Sequence, residues 1–571
     1  MTRGLRTVVA VCALAALLLP TSGPPQVQPA ATRLPPTPLC DWAMYGHDES
    51  RDFSTTCPTA PVPRTPAGMA LRWFVKTAES VTATPSVAGG VAYVGTWDGT
   101  FYAIDVHSGQ TLWTTVLGAR RGDGARDQHR DDYGEITSSA AITAIGSRTV
   151  AFVGAGGSMY ALDASRSAMP DAARVLWRFD VDPAHPTALG EVESSPVVWR
   201  DHPGGPLVIF GADSNQSSAF PGEGVWALDA ATGAVAWHFN SETFTHHPLF
   251  GCGNVWSSPA LSLDPANPDP RRRATLVFGT ADCPDNGTQP CPADRSDPFC
   301  APGSAYNPAL RWQPYSEAII AVDARDGTPL WSYQPHPPLS TDDDDFGASA
   351  QLMMLPKGEL AVGEGNKDGA YSVLDLGSGR LIWRRIEEGN GNLQPGFAIG
   401  GFLGATAVSN IDGVARVFGA SAITTPVVFD ANNKPTPQLH PRDLVLPMRA
   451  FSAVDGTPAW QQAQAPSYAA TSVARGVVWA GALDGVLRAE DARTGLVLWA
   501  FPLDGPISSG VAITDGAVIV GAGTSTVDAV FKACDHVPAS LKPQCQASPL
   551  NPSINLLGQL SGIYAFGSTG L

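Results

Sequence analysis

Charged residues are scarce in this chain, and basic residues are the scarcer kind. Only 16 % of the 571 residues are charged, and 53 Asp and Glu against 36 Lys and Arg give a formal net charge of −17. Nucleic acids and anionic membrane surfaces require a basic face. The charge balance therefore argues against both as partners. It is compatible with cation binding, or simply with solubility.

Several cofactor and catalytic motifs are also absent. Without Cys-x-x-Cys-His the chain has no site for a c-type haem, and therefore no built-in electron acceptor. No Gly-x-Gly-x-x-Gly follows a strand in a βαβ setting, so nicotinamide cofactors are unsupported. Gly-x-Ser-x-Gly and His-Glu-x-x-His do not occur, which removes the familiar hydrolase signatures.

Long apolar runs are missing except at the N-terminus. Arg3 and Arg6 precede apolar residues 8–19, and residues 20–23 break the run. This order is typical of an export signal, with cleavage before about Ala31, and the run is too short to span a bilayer. We predict a signal peptide at residues 1–30, a secreted or extracytoplasmic protein, and no membrane span.

Nine cysteines are present, and Cys12 lies in the predicted signal. The others are even in number, which in an exported chain indicates disulfides. Proximity in the sequence favours the pairs Cys40–Cys57 and Cys534–Cys545. A metal–thiolate cluster is a competing explanation, although no Cys-x-x-Cys spacing supports it. Three pairings remain open for the middle four cysteines, which are Cys252, Cys283, Cys291 and Cys300.

What the chain has in abundance is glycine, proline and one repeated strand motif. Residues 86–113 read SVAGGVAYVGTWDGTFYAIDVHSGQTLW, and residues 473–499 read VARGVVWAGALDGVLRAEDARTGLVLW. Alternating apolar strands separated by Gly and Asp turns indicate antiparallel sheets. Further copies of the ending from Asp or Ser to Trp occupy residues 163–177 (with an insertion), 229–237, 323–331, 375–383 and 452–460.

The two termini together supply an eighth copy. Residues 510–523 and 562–567 form strands with no Trp strand after them, whereas ALRWFV at residues 70–75 is a Trp strand with nothing before it. We therefore predict an all-β, eight-bladed β-propeller over residues 70–571, closed by pairing of the N- and C-terminal strands. Each Trp should dock on the next blade with its N–H on a backbone carbonyl. Residues 31–69 are a Pro-rich N-terminal segment containing Cys40 and Cys57.

The Asp/Ser-Gly-Trp repeat resembles that of pyrroloquinoline quinone (PQQ) propellers, over about residues 70–571. The resemblance implies the fold specifically and the activity only weakly. The family includes methanol- and ethanol-type dehydrogenases, polyvinyl-alcohol dehydrogenase-like proteins and noncatalytic propellers of outer-membrane assembly. DWAMYGHDESRDFS at residues 41–54 is most similar to the polyvinyl-alcohol group.

Departures from the repeat indicate where a site should lie. In residues 340–375 the resemblance implies that Asp345, in DFGAS, is the base that takes the alcohol proton. It implies that Lys367, in NKDG, contacts the quinone and stabilises the reduced oxygen. The alternative for the run of four Asp residues is a solvated loop or a structural cation site.

A second departure covers residues 252–264 and 276–286. Here the resemblance implies that Trp256 is the floor beneath the flat cofactor. It also implies that Asp282 ligates Ca²⁺ where Asn is usual, and a carboxylate suits a hard cation. The alternatives are core packing for Trp256 and turn capping for Asp282.

A third departure is LVIFGADSNQSS at residues 207–218. The resemblance places small residues such as Ser214 on the quinone carboxylates, with a Glu on Ca²⁺ after them. Gln216 stands at that Glu position with Asp213 nearby, and Glu193 stands where the family has a cofactor-contacting Thr. These differences weaken the predicted metal site. The paired cysteines common in the dehydrogenases are also missing.

The longest gap between repeat tryptophans runs from Trp237 to Trp331 and carries Cys283, Cys291 and Cys300. We predict a disulfide-held lid near one mouth of the channel, with a surface loop as the alternative.

Two functions follow from the resemblance. The first is an exported PQQ-dependent alcohol dehydrogenase-like oxidoreductase with PQQ and Ca²⁺ as cofactors. Its substrate would be a small or polymeric alcohol, and its electrons would pass to an external acceptor such as a cytochrome. The alternative is a noncatalytic exported propeller that binds proteins or polymers as a scaffold. Asp345, Lys367 and Trp256 together favour the enzyme, whereas Gln216 and Glu193 favour the scaffold.

Overall fold

Nearly all regular structure in the described residues is β-strand, arranged mainly as eight antiparallel sheets of four strands each. The short strand Ser54–Thr55 adds to one of these sheets, parallel to Ser472–Ala474. All described residues belong to one compact unit, residues 38–571. The computed structural model describes residues 40–65, 67–118, 134–167, 169–183, 191–213, 222–240, 254–281, 315–336, 344–386, 392–394, 397–398, 401–422, 427–429, 435–437, 447–465, 467–523 and 561–569.

Each sheet is one blade of a propeller, and the first strands of neighbouring blades lie against one another around the axis. The innermost strands of blades 1 to 8 are Ser86–Ala88, Ala141–Ile145, Val197–Trp199, Ala260–Leu263, Gln351–Met354, Ala407–Ile411, Ser472–Ala474 and Val511–Thr514. The second strands are Val91–Gly95, Arg148–Ala155, Leu207–Ala212, Ala274–Gly279, Leu360–Gly365, Val414–Ala420, Val477–Ala480 and Ala517–Ala522.

The outer half of each blade carries the repeat motif. The third strands are Thr100–Asp105, Ser158–Asp163, Gly224–Asp229, Ile319–Asp323, Ala370–Asp375, Met448–Ser452, Val486–Asp491 and Gly562–Ser568. The outermost strands are Thr111–Val116, Val175–Asp180, Val235–Phe239, Pro329–Tyr333, Leu381–Ile386, Pro458–Gln462, Val497–Pro502 and, for blade 8, Met69–Lys76.

Few other elements are present in the described residues. A four-residue helix covers Asp171–Arg174, and a 3₁₀ turn covers Pro270–Arg272. Two small hairpins pair Asn392–Gln394 with Phe397–Ala398 and Val427–Phe429 with Pro435–Pro437. No helix in this part of the chain is long and apolar enough to cross a bilayer.

The ring closes through blade 8. Met69–Lys76 pairs antiparallel with Gly562–Ser568, and Trp73 lies opposite Ala565. The first long strand of the chain is thus the outermost strand of a blade whose other three strands come from the C-terminal end. The predicted eight blades and their closure are confirmed. Closure gives every blade a neighbour on both sides, so that only short, protected sheet edges remain.

The repeat tryptophans dock between blades, as predicted. In seven of the eight cases the indole N–H donates to a backbone carbonyl of the next blade, at 2.8–3.1 Å, in the pairs Trp73–Val106, Trp113–Ser165, Trp177–Ala230, Trp237–Ala324, Trp331–Leu376, Trp383–Ala453 and Trp460–Ala492. Because the carbonyl sits just after the third strand, one bond fixes the position of the neighbouring blade.

The glycine of the Ser/Thr-Gly turn has two reasons to be glycine. In six blades it has φ of +67° to +75°, and an added Cβ would lie 2.9 Å or less from the docked indole; these glycines are Gly109, Gly233, Gly327, Gly379, Gly456 and Gly495. Left-handed backbone and close approach both disfavour any larger residue. In blade 2 an insertion replaces this turn, and the buried Arg174 guanidinium lies 3.9 Å from the Trp113 ring centre instead.

A second ring of contacts, which sequence analysis missed, lies nearer the axis. Just before successive innermost strands, a backbone N–H of one blade donates to a Ser or Thr hydroxyl of the next at 2.9–3.0 Å. The pairs are Gly510–Thr84, Thr84–Ser139, Ser139–Ser195, Ser195–Ser258 and Ser258–Ser349. The recurring Ser-Ser pairs at residues 138–139, 194–195 and 257–258 were the available signal.

Residues 40–59, the strap, bind all eight blades around the axis. Carbonyl groups of Ala43, Glu49, Ser50, Asp52 and Phe53 accept N–H bonds of 2.7–2.8 Å from innermost strands of blades 2, 4, 5, 6 and 7. The N-terminal end of the strap reaches blade 1 through the backbone pair Trp42–Val87, and it reaches blade 8 through the Cys40 carbonyl, which accepts a hydrogen bond from the Thr514 hydroxyl. The predicted Cys40–Cys57 disulfide is confirmed and joins the ends of the strap.

Arg51 links the strap to blades 3 and 4. Its guanidinium is fully buried and donates to the carbonyls of Ser195 (3.0 Å), Pro196 (2.9 Å) and Pro259 (3.0 Å), and to that of Tyr45. Burial lowers the pKa of Arg51 to about 10, so the side chain is still charged at neutral pH. Four carbonyl dipoles replace the water that this cation lost.

Substitution of Gly379 by alanine tests the docking contact. Both Gly379 and Gly358 have positive φ (+69° and +80°), so alanine at either position should lower the free energy of unfolding by about 1 kcal/mol through backbone strain. Only Gly379 also faces an indole, Trp331, at 2.6 Å, whereas Gly358 has nothing within 4 Å. We expect Gly379→Ala to lower the free energy of unfolding by about 1–3 kcal/mol more than Gly358→Ala, measured by urea titration. Equal losses would contradict the packing role.

Replacement of Arg51 by methionine tests the strap. Methionine has a similar length but leaves the carbonyls of blades 3 and 4 buried without donors, so we expect a loss of about 3 kcal/mol or more. Thermal melting monitored by circular dichroism measures it. The control is Arg493→Met, which removes a surface pair with Asp412 whose side chains are 60 % and 59 % exposed. If both variants melt like the wild type, Arg51 does not anchor the strap.

Candidate active site

Two turns of blade 5 and one segment of blade 4 meet at the site. Asp345 lies ahead of the innermost strand of blade 5, and Lys367 lies in the tight turn after the second strand of that blade. The Lys367 N–H donates to the Asp345 carbonyl at 3.1 Å, so the backbone itself holds the two positions together. Trp256 comes from the segment ahead of the innermost strand of blade 4.

The three side chains form one hydrogen-bonded group, the Asp345 cluster (Trp256, Asp345 and Lys367). Lys367 Nζ lies 2.6 Å from Asp345 Oδ2, and Trp256 Nε1 donates to the same oxygen at 3.2 Å. The ammonium also lies 5.5 Å from the centre of the Trp256 ring. Asp345 and Lys367 are only 4 % and 9 % exposed. Sequence analysis therefore selected three residues that the fold brings together.

Gly347 explains how the indole of Trp256 is held. A Cβ built at Gly347 would lie 1.6 Å from Trp256 Cη2, so the ring edge packs directly on the glycine backbone. The glycine of the DFGAS motif is thus required for close approach. Asp344 and Asp345 are both buried, so these two residues are not part of a solvated loop. Trp256 is half-buried and lies beside a carboxylate.

Carboxylates from blade 3 crowd the same region. Glu191 and Asp213 pair through their backbones, with N–H···O distances of 2.8 and 2.9 Å. Burial raises the pKa of Glu193 well above its ordinary value, and the nearby charges of Glu191 and Asp213 raise it further. The Lys367 ammonium acts in the opposite direction, which places Glu193 and the Asp345 cluster in one electrostatic neighbourhood. Negative charge outweighs positive charge here.

These residues fit the groups that the sequence resemblance implies. Trp256 offers aromatic surface to a flat quinone, and Lys367 offers a cation to its oxygens. The carboxylates of Glu191, Glu193 and Asp213 are oxygen donors of the kind that hard divalent cations take, and their crowding is what such a cation would relieve. The remaining predicted contacts lie outside the described residues and stay predictions: Ser214, Gln216 and Asp282.

Sequence analysis missed two residues around the Asp345 cluster. Glu191 lies two residues before Glu193, a spacing that was visible but unused. His336 Nδ1 and Nε2 lie 3.3 Å and 3.2 Å from carboxylate oxygens of Asp344 and Asp368. No sequence pattern connects His336 with those residues. The predicted lid with Cys283, Cys291 and Cys300, the pairing of Cys252 and the Cys534–Cys545 disulfide lie outside the described residues.

Part of the chain matches a known protein family. The PQQ family model, described as the β-propeller domain of glucose/ethanol/alcohol dehydrogenases, matches residues 69–267. Lupanine 17-hydroxylase [cytochrome c] of Pseudomonas sp. is 24 % identical over 337 residues, which cover 55 % of this chain and 43 % of that protein. The matched segment is thus less than half of that relative.

Solved structures share the fold over almost the whole chain. A quinohemoprotein alcohol dehydrogenase from Pseudomonas putida HK5 superposes with a TM-score of 0.63 at 17 % identity, covering 93 % of this chain and 80 % of that one. A europium-containing methanol dehydrogenase gives 0.61 at 16 % identity, covering 92 % and 98 %. At these identities the likeness shows the fold.

Substitution of Glu193 by glutamine tests the crowding of carboxylates. Because folding raises the pKa of Glu193, the native protein binds this proton more tightly than the unfolded chain does, and stability falls as pH rises above the ordinary value of 4.5. Glutamine avoids that loss. We expect Glu193→Gln to match the wild type near pH 5 and to melt roughly 2 °C higher at pH 8 in calorimetry.

Glu490 in blade 7 supplies a positive control for that measurement. Burial raises the pKa of Glu490 to about 8, and no residue of the Asp345 cluster contributes to it. Glu490→Gln should also melt higher than the wild type at pH 8. If Glu490→Gln shows this difference and Glu193→Gln does not, Glu193 is not held in the crowded environment described above.

Proposed function

We propose that this chain, a β-propeller of the PQQ-dependent dehydrogenase family, is an exported alcohol dehydrogenase-like oxidoreductase. It binds PQQ and a divalent cation such as Ca²⁺, oxidises an alcohol and passes electrons to an external acceptor such as a cytochrome. The observation that supports the proposal is the Asp345 cluster. Blades 4 and 5 together supply these residues, and one oxygen of the buried Asp345 carboxylate contacts both the Lys367 ammonium and the Trp256 indole N–H.

The chain's own residues would hold the cofactors. Trp256 would lie against the flat face of the quinone, and Asp213, Ser214 and Glu193 would line its binding site. Asp282 and Gln216 are the predicted cation ligands. PQQ, when bound, supplies the two-electron acceptor for alcohol oxidation.

Asp345 has the geometry of a general base. Its Oδ2 atom is fixed by Lys367 and Trp256, so the carboxylate has a defined orientation before any substrate arrives. A carboxylate in this position accepts the hydroxyl proton of an alcohol. Lys367 compensates the negative charge of the buried carboxylate, and the low exposure of both side chains keeps bulk water from competing for the proton.

Substrate, acceptor and location are drawn from the sequence. The similarity of residues 41–54 to the polyvinyl-alcohol group supports testing polymeric as well as primary and secondary alcohols. An external acceptor is proposed because the chain has no Cys-x-x-Cys-His motif. Export is supported by the N-terminal signal pattern and by the Cys40–Cys57 disulfide, since disulfides persist in oxidising compartments.

A noncatalytic scaffold is the second candidate. Glu193 favours it, because a carboxyl group replaces the family's cofactor-contacting Thr and adds negative charge where an anionic quinone would bind. Such a propeller would present its loops to a protein or polymer and would bind no quinone.

Asp345→Asn separates the two candidates. Purified wild-type protein mixed with PQQ and Ca²⁺ should show quinone absorbance and reduce a dye when an alcohol is added. Asparagine preserves shape but cannot take the proton, so we expect dye reduction to fall by about 10²–10⁴-fold with the fold retained. Asp455→Asn, in an exposed turn of blade 6, is the matched control and should retain full activity. Wild-type protein without bound quinone or dye reduction would exclude the enzyme.

A further inference from the structure

His336 joins blade 4 to the two turns that carry the Asp345 cluster. It follows the outermost strand of blade 4, Pro329–Tyr333, and its side chain is 16 % exposed. Nδ1 lies 3.3 Å from Asp344 Oδ2, and Nε2 lies 3.2 Å from Asp368 Oδ2. One imidazole ring therefore bridges two carboxylates that come from different segments of blade 5.

The two carboxylates are the sequence neighbours of the cluster. Asp344 immediately precedes Asp345, and Asp368 immediately follows Lys367. Two hydrogen bonds also join the segments directly. Asn366 Nδ2 donates to the Asp344 carbonyl at 2.6 Å, and the Lys367 N–H donates to the Asp345 carbonyl at 3.1 Å. A movement of either carboxylate away from His336 would shift the adjoining residue of the pair.

The charge on the ring decides whether it attracts both carboxylates. Only the imidazolium form has N–H donors at both nitrogens. Arg384 also pairs with Asp368, and the Glu317 carboxylate accepts the Asp344 N–H at 3.0 Å. Tyr333 ends the strand that precedes His336, and its hydroxyl lies within the electrostatic influence of Arg384 and Asp368. Within the part of the chain that the structure describes, these groups and the adjoining Asp345–Lys367 pair are the charged and titratable side chains at the bridge.

Burial by itself lowers the pKa of His336, but the close contact with Asp368 and the charges of Asp344 and Asp368 outweigh it. Arg384 opposes them, and the net pKa of His336 lies above its ordinary value of 6.5. A histidine whose pKa is raised on folding contributes stability that is present below the ordinary value. That contribution is lost as pH rises through the folded-state pKa.

We propose that His336 is a positioning residue of this site. As an imidazolium it ties Asp344 to Asp368 and thereby holds Asp345 and Lys367 in their mutual position, and this hold is released when the ring loses its proton at higher pH. The consequence for turnover rests on the proposed function. The coupling between protonation of His336 and the stability of the two segments, residues 344–347 and 366–369, does not depend on the proposed function.

Hydrogen exchange read by mass spectrometry tests the coupling without any activity. Peptides that contain residues 344–347 and 366–369 of the full-length wild-type protein should exchange on the order of tenfold faster at pH 9 than at pH 6, after correction for intrinsic rates. In His336→Gln, which is neutral and cannot donate at both ends, they should already exchange fast at pH 6. In His336→Lys, charged at both pH values, the corrected rates should be equal.

His202→Gln is the matched control, because His202 bonds only within its own turn of blade 3. It should exchange like the wild type in both segments. Corrected wild-type rates that do not change between pH 6 and pH 9, or His336→Gln rates equal to wild type at pH 6, would overturn the proposal. The wild-type comparison stands even if His336→Gln fails to fold, which circular dichroism will show.

Dye reduction adds a readout that links positioning to turnover. In wild-type protein loaded with PQQ and Ca²⁺, we expect kcat/KM to decline at alkaline pH as His336 loses its proton. This decline should be absent in His336→Lys. His336→Gln should already have a kcat about tenfold lower than that of the wild type at pH 6. If the wild type reduces no dye but the exchange differences persist, the proposed function fails and the positioning role survives. Full activity of His336→Gln at every pH would remove the role in turnover.

Discussion

At six of the eight junctions between blades, an indole ring lies on a glycine turn of the next blade and donates one N–H to the carbonyl beside that turn. The contact satisfies a buried donor and buries a large apolar surface at the same time. It works only because the turn has no Cβ, so the tryptophan of one blade depends on the glycine of another. Repeated around the ring, this pairing sets the angle between blades and leaves the C-terminal blade needing the N-terminal strand.

The strap complements this outer ring near the axis. Its carbonyl groups bind innermost strands that would otherwise present unpaired N–H groups at the centre, and Arg51 satisfies carbonyls of blades 3 and 4. The site stands where the pattern of small, paired residues is broken. There, carboxylates of blade 3 face the Asp345 cluster of blades 4 and 5, and the surplus of negative charge is the property that a bound divalent cation would compensate.

Short-range patterns predicted a large part of this arrangement. The Asp-to-Trp spacing predicted blades because strand alternation and glycine turns are local properties of the chain. Asp345, Lys367 and Trp256 were identified from motifs, and the fold places them in contact. His336 and the strap escaped prediction, because their partners lie far away in the sequence and follow no period. Arg51, for example, looks like an ordinary charged residue until blades 3 and 4 surround it.

The sequence by itself determined the architecture: the number of blades, the closure by both termini, and the Cys40–Cys57 pairing that proximity favoured. These depend on repetition and on short loops, which are visible in one dimension. Tertiary structure alone decided the electrostatics of the site. It brought His336 between Asp344 and Asp368, and it brought Glu193 near Lys367. The charge state and orientation of buried groups depend on which charges lie within a few ångströms and how much water remains, and only the folded chain sets both.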